Sequence, residues 1–430
     1  MTAPLRIGIA GLGTVGGGVV KLLTEHRDLL AQRAGRPLVL AAASALEIPK
    51  PLVPLLKGVP WHADARQVAQ SAAIDVVVEL IGGAEGMARQ VVETALAAGK
   101  AVVTANKALI AKHGVALART AEHKGVALAF EASVAGGIPI LKALREGLAG
   151  NRFSRVYGIL NGTCNYILTG MEESGRDFAE VLAEAQRLGY AEADPAMDVD
   201  GLDAANKLAI LVAVAWGCPV DLDAVYVEGI RRVSATDIAY AAELGYRVKL
   251  LAMARRTETG IERRVTPCMV KRDSAVGQVM GVLNAVVADG DFVGQTVFEG
   301  RGAGERPTAS AVVADLVDIA AGRSAHAFGV PVDQLVELAR EPMERHRGAY
   351  YMRLNVVDRP GVLAEVATIL AAEGVSIETV LQRGRNPGET VPLILTTHET
   401  DEAAMTRVRA QLASVKAVTQ APAFIRIENL

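Results

Sequence analysis

A short apolar run at residues 5–10 enters Gly11-Leu12-Gly13-Thr14-Val15-Gly16, and a helical apolar pattern follows at Val19, Val20, Leu22 and Leu23. This stretch constrains the fold more than any other, because each glycine has its own geometric duty. The first permits the tight turn, the second lets backbone approach a pyrophosphate, and the third lets helix pack on strand. The helix start then offers unpaired N–H groups to the phosphates. A glycine turn without ligand is the alternative. The strand before the turn and the helix after it favour a dinucleotide site.

Further α/β units follow. Strands are expected over 38–43, 74–80, 101–104 and 126–130, with a helix over 86–98. They build an α/β fold whose first part, residues 1–130, is a Rossmann-type NAD(P)-binding domain. The strand at 101–104 ends in Thr104-Ala-Asn106-Lys107, where ligands gather in open parallel sheets. Thr104 and Lys107 are therefore site candidates; a surface lysine at a helix start is the other reading of Lys107. At the end of the second strand, Ala43-Ser44-Ala45-Leu46-Glu47 places no acid directly against the ribose hydroxyls. That leans towards NADP, or towards no discrimination between NADP and NAD.

The second informative stretch runs from Gly189 to Trp216. Its first half is an acidic loop with Glu192, Asp194, Asp198 and Asp200; its second half is an unbroken helix pattern from Leu202. From Leu208 onward the helix is apolar on every face, so it is buried. Asp203 and Lys207 lie one turn apart on a stripe that turns apolar at Ile210 and Val214. Such a pair at the mouth of a buried helix suits proton transfer, because desolvation can lower a lysine pKa into a working range.

Composition narrows the rest. A chain of 430 residues needs two or three domains, and 51% hydrophobic against 4% aromatic content suits tightly packed α/β layers. A net charge of −3 carries no nucleic-acid footprint. No uninterrupted apolar run is long enough to span a membrane and no signal peptide is read, so no membrane partner is expected. The three cysteines are far apart and the seven histidines do not cluster with carboxylates. A reduced, cytoplasmic protein without a catalytic transition metal is expected.

Three motifs now combine: Asn161-Gly-Thr163-Cys164-Asn165-Tyr-Ile-Leu, Leu188-Gly-Tyr-Ala-Glu192-Ala-Asp-Pro, and Asp198-Val-Asp-Gly-Leu-Asp203-Ala-Ala-Asn-Lys207. With them the chain resembles the homoserine dehydrogenases over about residues 5–323. The resemblance implies interconversion of L-homoserine and L-aspartate 4-semialdehyde with NADP or NAD. It implies that Lys207 donates and accepts the proton beside Asp203, and that Glu192 binds the substrate amino group. It places Lys107 near coenzyme and substrate, with Asp198 and Thr163 in the substrate site. Glu131, Val134, Gly136 and Ile138 match a monovalent-cation turn, usually for sodium, and Gly302 and Gly304 match a segment that returns to the coenzyme. A different NAD(P)-dependent amino-acid dehydrogenase and a non-catalytic amino-acid sensor are the competing readings. Intact Lys207, Asp203 and Glu192 oppose the sensor. No cysteine–histidine arrangement suggests an aspartate-semialdehyde dehydrogenase.

A mixed α+β catalytic and dimerisation domain is expected over 131–323, with strands at 156–160, 225–230, 263–270 and 282–288 and a last helix at 308–321 returning to the first domain. A charged linker at 324–349 follows. Residues 350–430 read β-α-β-β-α-β, a ferredoxin-like order able to fold as a unit. With Asp358-Arg359-Pro360-Gly361-Val-Leu-Ala the segment resembles an ACT domain. Arg359, Pro360 and Gly361 open a helix whose N–H groups suit a carboxylate, and the resemblance makes L-threonine the expected effector. A dimerisation module without ligand is the alternative. A homodimer or homotetramer is expected.

Overall fold

The computed structural model describes residues 2–383 and 388–430. The first six strands are β1 (Leu5–Ala10), β2 (Leu38–Ser44), β3 (Trp61–His62), β4 (Val76–Glu79), β5 (Ala101–Thr104) and β6 (Leu128–Ala129). They form one parallel sheet in the order β3-β2-β1-β4-β5-β6. Ile7, Ile9, Val76, Val77, Val102 and Val103 are fully buried, as a sheet covered on both faces requires. β4 is shorter than the 74–80 run because Glu79 turns the chain. Its carboxylate accepts the N–H groups of Ile81 at 2.8 Å and Gly82 at 3.0 Å.

The second sheet holds β7 (Phe153–Ile159), β8 (Tyr226–Val227), β9 (Tyr246–Arg256), β10 (Ile261–Lys271), β11 (Leu283–Gly290) and β12 (Gly294–Arg301). To these it adds β13 (Arg347–Val357), β14 (Ile377–Gln382), β15 (Thr390–Thr397), β16 (Thr400–Asp401) and β17 (Ala423–Glu428). The main path runs β12-β11-β7-β9-β10-β17-β13-β15-β14, with β8 beside β10 and β16 beside β13. β9 and β12 have no counterpart in the sequence expectations. β9 is buried continuously from Val248 to Ala254, so its Leu-Leu-Ala-Met-Ala run shows no two-residue period. β12 is an edge strand, half exposed along its length. Of the stretch expected at 225–230, only Tyr226–Val227 is paired.

The Leu202–Trp216 helix lies against β7, β9, β10 and the Lys107–Lys124 helix. Every residue from Asp203 to Val214 is buried. It begins after Gly201, whose φ of +84° favours glycine and where a Cβ would stand 3.0 Å from Val227 Cγ1.

The C-terminal segment has the expected β-α-β-β-α-β order, with helices Val362–Ala372 and Glu402–Ala413 over its own core of Met352, Leu354, Val366, Leu370, Leu393, Leu395, Val408 and Leu412. It is not a separate body. β17 pairs with β10 in parallel, Cys268 opposite Arg426 and Val270 opposite Glu428, so one sheet runs through both parts. The charged stretch before it is tied down too: Arg340 bridges Ile261, and His346 is 1% exposed against Glu262. Among the described residues, no helix is long and apolar enough to cross a membrane.

Candidate active site

Three elements meet at the mouth of the Leu202–Trp216 helix. Asp203 and Lys207 come from its first turns, Lys107 from the start of the Lys107–Lys124 helix, and Asn161 from the turn after β7. Lys207 Nζ donates to Asp203 Oδ2 at 2.8 Å and to the Leu160 carbonyl at 2.7 Å. Lys107 Nζ pairs with Asp203 Oδ1 at 2.8 Å. Asn161 Nδ2 donates to Asp203 Oδ2 at 2.8 Å and to Asp198 Oδ1 at 2.7 Å. The carboxylate of Asp203 thus joins two ammonium groups and an amide. Burial alone would raise its pKa, but Lys207 and Lys107 outweigh burial and hold it well below the usual carboxylate range. Burial pushes Asp198 upward against the opposing bond from Asn161. Burial also raises the Cys164 thiol well above its ordinary value, so it is no nucleophile.

Asn161, to which the sequence assigns no role, links the two aspartates and caps the Gly162–Ser174 helix by accepting the Cys164 N–H at 2.8 Å. Its position before a helix was the available signal. The Leu160 carbonyl left no sequence signal, because a backbone acceptor has no residue type. Thr163 donates to the Tyr190 carbonyl at 2.7 Å, holding the acidic loop near the site. Glu192 is exposed on that loop; among the described residues, no hydrogen bond or ion pair joins its carboxylate to the lysines.

The glycine turn lies at the carboxyl end of β1. A Cβ at Gly11, where φ is +106°, would stand 2.5 Å from the Leu80 carbonyl oxygen, and one at Gly16 would stand 2.0 Å from that of Gly11. Gly13 differs: a Cβ there meets nothing within 4 Å. Folding therefore leaves open the space at Gly13 that a pyrophosphate would occupy, and Gly13 opens the Thr14–Glu25 helix without a side-chain cap. Leu12 and Gly16 are buried, Thr14 is exposed and Val15 is partly so. Thr104 is fully buried, its hydroxyl committed to Glu79 Oε2 at 2.6 Å and the Asn106 N–H at 2.9 Å. Gly304 precedes the Glu305–Ala320 helix, and Glu305 pairs with Lys21 of the Thr14–Glu25 helix at 2.6 Å. The helix that follows the Gly302–Gly304 segment therefore packs on the helix that follows β1.

Family models described as homoserine dehydrogenase and as homoserine dehydrogenase, NAD binding domain, match residues 139–317 and 11–131; an ACT domain matches 350–417. A homoserine dehydrogenase of Pseudomonas aeruginosa is 47% identical over 99% of each chain. The chain belongs to the homoserine dehydrogenase family. It is an NAD(P)-dependent oxidoreductase. The crystal structure of a homoserine dehydrogenase from Thiobacillus denitrificans, 46% identical, superposes with a TM-score of 0.93 over 99% of both chains. A hyperthermophilic archaeal homoserine dehydrogenase in complex with NADPH, 27% identical, gives a TM-score of 0.62 over 74% of this chain and 97% of that one.

Two further turns have a distinctive geometry. In the first, Ala135 and Gly136 both have positive φ, 52° and 35°. The Glu131 carboxylate accepts the N–H groups of Leu141 and Lys142 at 2.9 and 2.8 Å, and burial, with Asp315 nearby, raises its pKa to about 7. The Ile138 carbonyl accepts the Ile140 N–H at 2.8 Å, and that of Glu131 the Val134 N–H at 3.4 Å. Among the described residues, no hydrogen bond reaches the buried carbonyls of Val134 and Gly136. In the second, Arg359 pairs with Glu365 at 2.8 Å, and Gly361, with φ +93°, starts the Val362–Ala372 helix without a side-chain cap. Residues 356–363 with Gln382 and Leu393 surround a cavity of about 430 Å³ there.

Proposed function

We propose that the Asp203–Lys207–Lys107 cluster interconverts L-homoserine and L-aspartate 4-semialdehyde, with Lys207 as the proton-transferring group. One observation carries this reading. Lys207 commits two donors, to Asp203 and Leu160, and an ammonium has three, so one is left for the substrate oxygen. The nicotinamide, when bound, supplies hydride transfer. In the oxidative direction Lys207 acts as the neutral amine: its two N–H groups keep the bonds to Asp203 and Leu160 while its lone pair takes the hydroxyl proton, and in the reverse direction the resulting ammonium stabilises and protonates the developing alkoxide. Asp203 orients both lysines. Glu192 binds the substrate ammonium, with Asp198 and Thr163 beside it. Lys207→Ala should lower turnover by roughly 10²–10⁴-fold in a steady-state assay of homoserine oxidation while coenzyme still binds. Near-normal turnover in the folded variant would overturn the assignment.

The finer reading has four parts. NADP is accepted at least as well as NAD, supported by Ser44 at the end of β2, where no acid meets the ribose; parallel assays with each coenzyme test it. A sodium-type cation sits at Glu131, Val134, Gly136 and Ile138, supported by the two unpaired buried carbonyls; turnover unchanged when sodium and potassium give way to a bulky organic cation would remove it. The protein works as a homodimer or homotetramer, supported by the open edge at β12 and by Phe292, 90% exposed in the turn that precedes it; a monomer in sedimentation would refute this. The enzyme serves threonine, methionine and isoleucine synthesis in the cytoplasm, and L-threonine inhibits it from the Arg359-Pro360-Gly361 turn. The uncapped helix start beside the cavity supports that binding. Calorimetric heat and inhibition at millimolar threonine, both lost in Arg359→Ala, are expected; their absence in the full chain would exclude this effector.

A further inference from the structure

We propose that Arg426 and Glu228 are positioning residues for the substrate site, their ion pair tying the C-terminal module to the acidic loop that leads into Asp203 and Lys207. This rests on the assignment of that cluster as the substrate centre.

The connection can be followed atom by atom. Arg426 stands on β17, 4% exposed. Its Nη1 meets Glu228 at 2.9 Å, while Nε and Nη2 hold Glu402 at 2.9 and 2.6 Å. Glu228 lies just past β8, and its N–H donates to the Val265 carbonyl of β10 at 2.8 Å. The next residue is Gly229, where a Cβ would stand 2.2 Å from the Val199 carbonyl oxygen and 2.6 Å from Asp200 Cα. Backbone therefore rests on backbone, with no side chain between to absorb a displacement. The Ile230 N–H donates to the Val199 carbonyl at 2.8 Å, and Arg231 grips the Asp200 carboxylate. Val199 and Asp200 lie directly after Asp198, and Gly201 and the buried helix with Asp203 follow. A movement of β17 relative to β10 is thus delivered to the loop through Glu228 and a rigid strip of backbone.

The pair is built so that the tie can be cut alone. Without Glu228 the guanidinium keeps both bonds to Glu402, so the module retains its buried charge compensation. Glu228 has 28% of its side chain exposed, so a glutamine there remains solvated.

The test compares the full-length protein with Glu228→Gln, Arg426→Lys and, as a control on the site itself, Lys207→Ala. Homoserine and coenzyme kinetics and thermal melting are measured on each. Glu228→Gln should raise the homoserine KM or lower kcat/KM by about 3- to 30-fold, the span of a coupling contact, with the coenzyme KM and the melting temperature unchanged. Arg426→Lys, which keeps the charge but loses the fork, should fall between it and wild type. Wild-type homoserine kinetics in folded Glu228→Gln, with Lys207→Ala inactive, would overturn the tie while sparing the site. A lowered melting temperature with unchanged kinetics would do the same, since a purely structural contact changes only stability. An active Lys207→Ala would instead overturn the site assignment and the tie with it.

Discussion

At the scale of single residues, what a group leaves unsatisfied is what it can offer a ligand. Lys207 is buried, yet two acceptors use only two of its donors. Asp203 keeps its charge because two ammonium groups offset the desolvation it suffers. Gly13 is the converse case. Its φ of −65° suits any residue and a Cβ would touch nothing in the protein, so folding does not demand glycine there. Gly13→Ala should accordingly melt like wild type but raise the coenzyme KM by about tenfold or more, because the methyl group enters the space that the pyrophosphate needs. A coenzyme KM unchanged in this variant would move the phosphates away from the turn. Gly11 and Gly16 offer no such separation, since carbonyl oxygens lie 2.5 and 2.0 Å from their would-be Cβ atoms.

At the scale of elements, a second buried lysine fastens the strands behind the site. Lys249 of β9 donates to Asn165 Oδ1 at 2.9 Å and to the Val279 carbonyl at 2.5 Å, joining β9, the Gly162–Ser174 helix and the segment before β11. Burial lowers its pKa to about 8, below the 10.5 of a solvated lysine. Above about pH 8 the folded protein has released this proton while the unfolded chain still holds it. Stability from this group therefore rises with pH between about 8 and about 10.5, and its charging cost is present in full below that window. The stability of wild type relative to Lys249→Met should grow by about 3 kcal/mol across the window in denaturant unfolding. A difference constant with pH would mean that Lys249 titrates normally. Neither β9 nor this lysine was legible in the sequence: a strand buried on both faces has no alternation, and a lone lysine in an apolar run does not announce its acceptors.

At the scale of the molecule, the continuous second sheet changes what removal of the C-terminal module should do. Its β-α-β-β-α-β order and private core suggest a detachable unit. The pairing of β17 with β10 opposes that, and so does Arg264, fully buried and joined to Glu262 at 2.7 Å and Glu428 at 2.5 Å. A chain ending at Glu344 would uncover the edge of β10 and strip Arg264 of Glu428. It should melt lower by about 5 °C or more and bind a hydrophobic dye that the full chain does not. Equal melting of both proteins would show that the seam is energetically idle.

The sequence by itself determined whatever depends on local spacing. The strand–glycine–helix unit, the bounds of the Leu202–Trp216 helix, the Asp203–Lys207 pair and the order of the C-terminal elements all follow from periods of two and 3.6 residues and from backbone positions that only glycine fills. Only the tertiary structure decided that Lys107, some hundred residues from Asp203, shares its carboxylate, that Asn161 and the Leu160 carbonyl complete the cluster, and that β17 sits beside β10. The physical reason is the same in each case. These contacts join segments far apart in the chain, and many partners could satisfy each donor or strand edge equally well. The choice among them is made by the packing of the whole core, which no single stretch of sequence encodes.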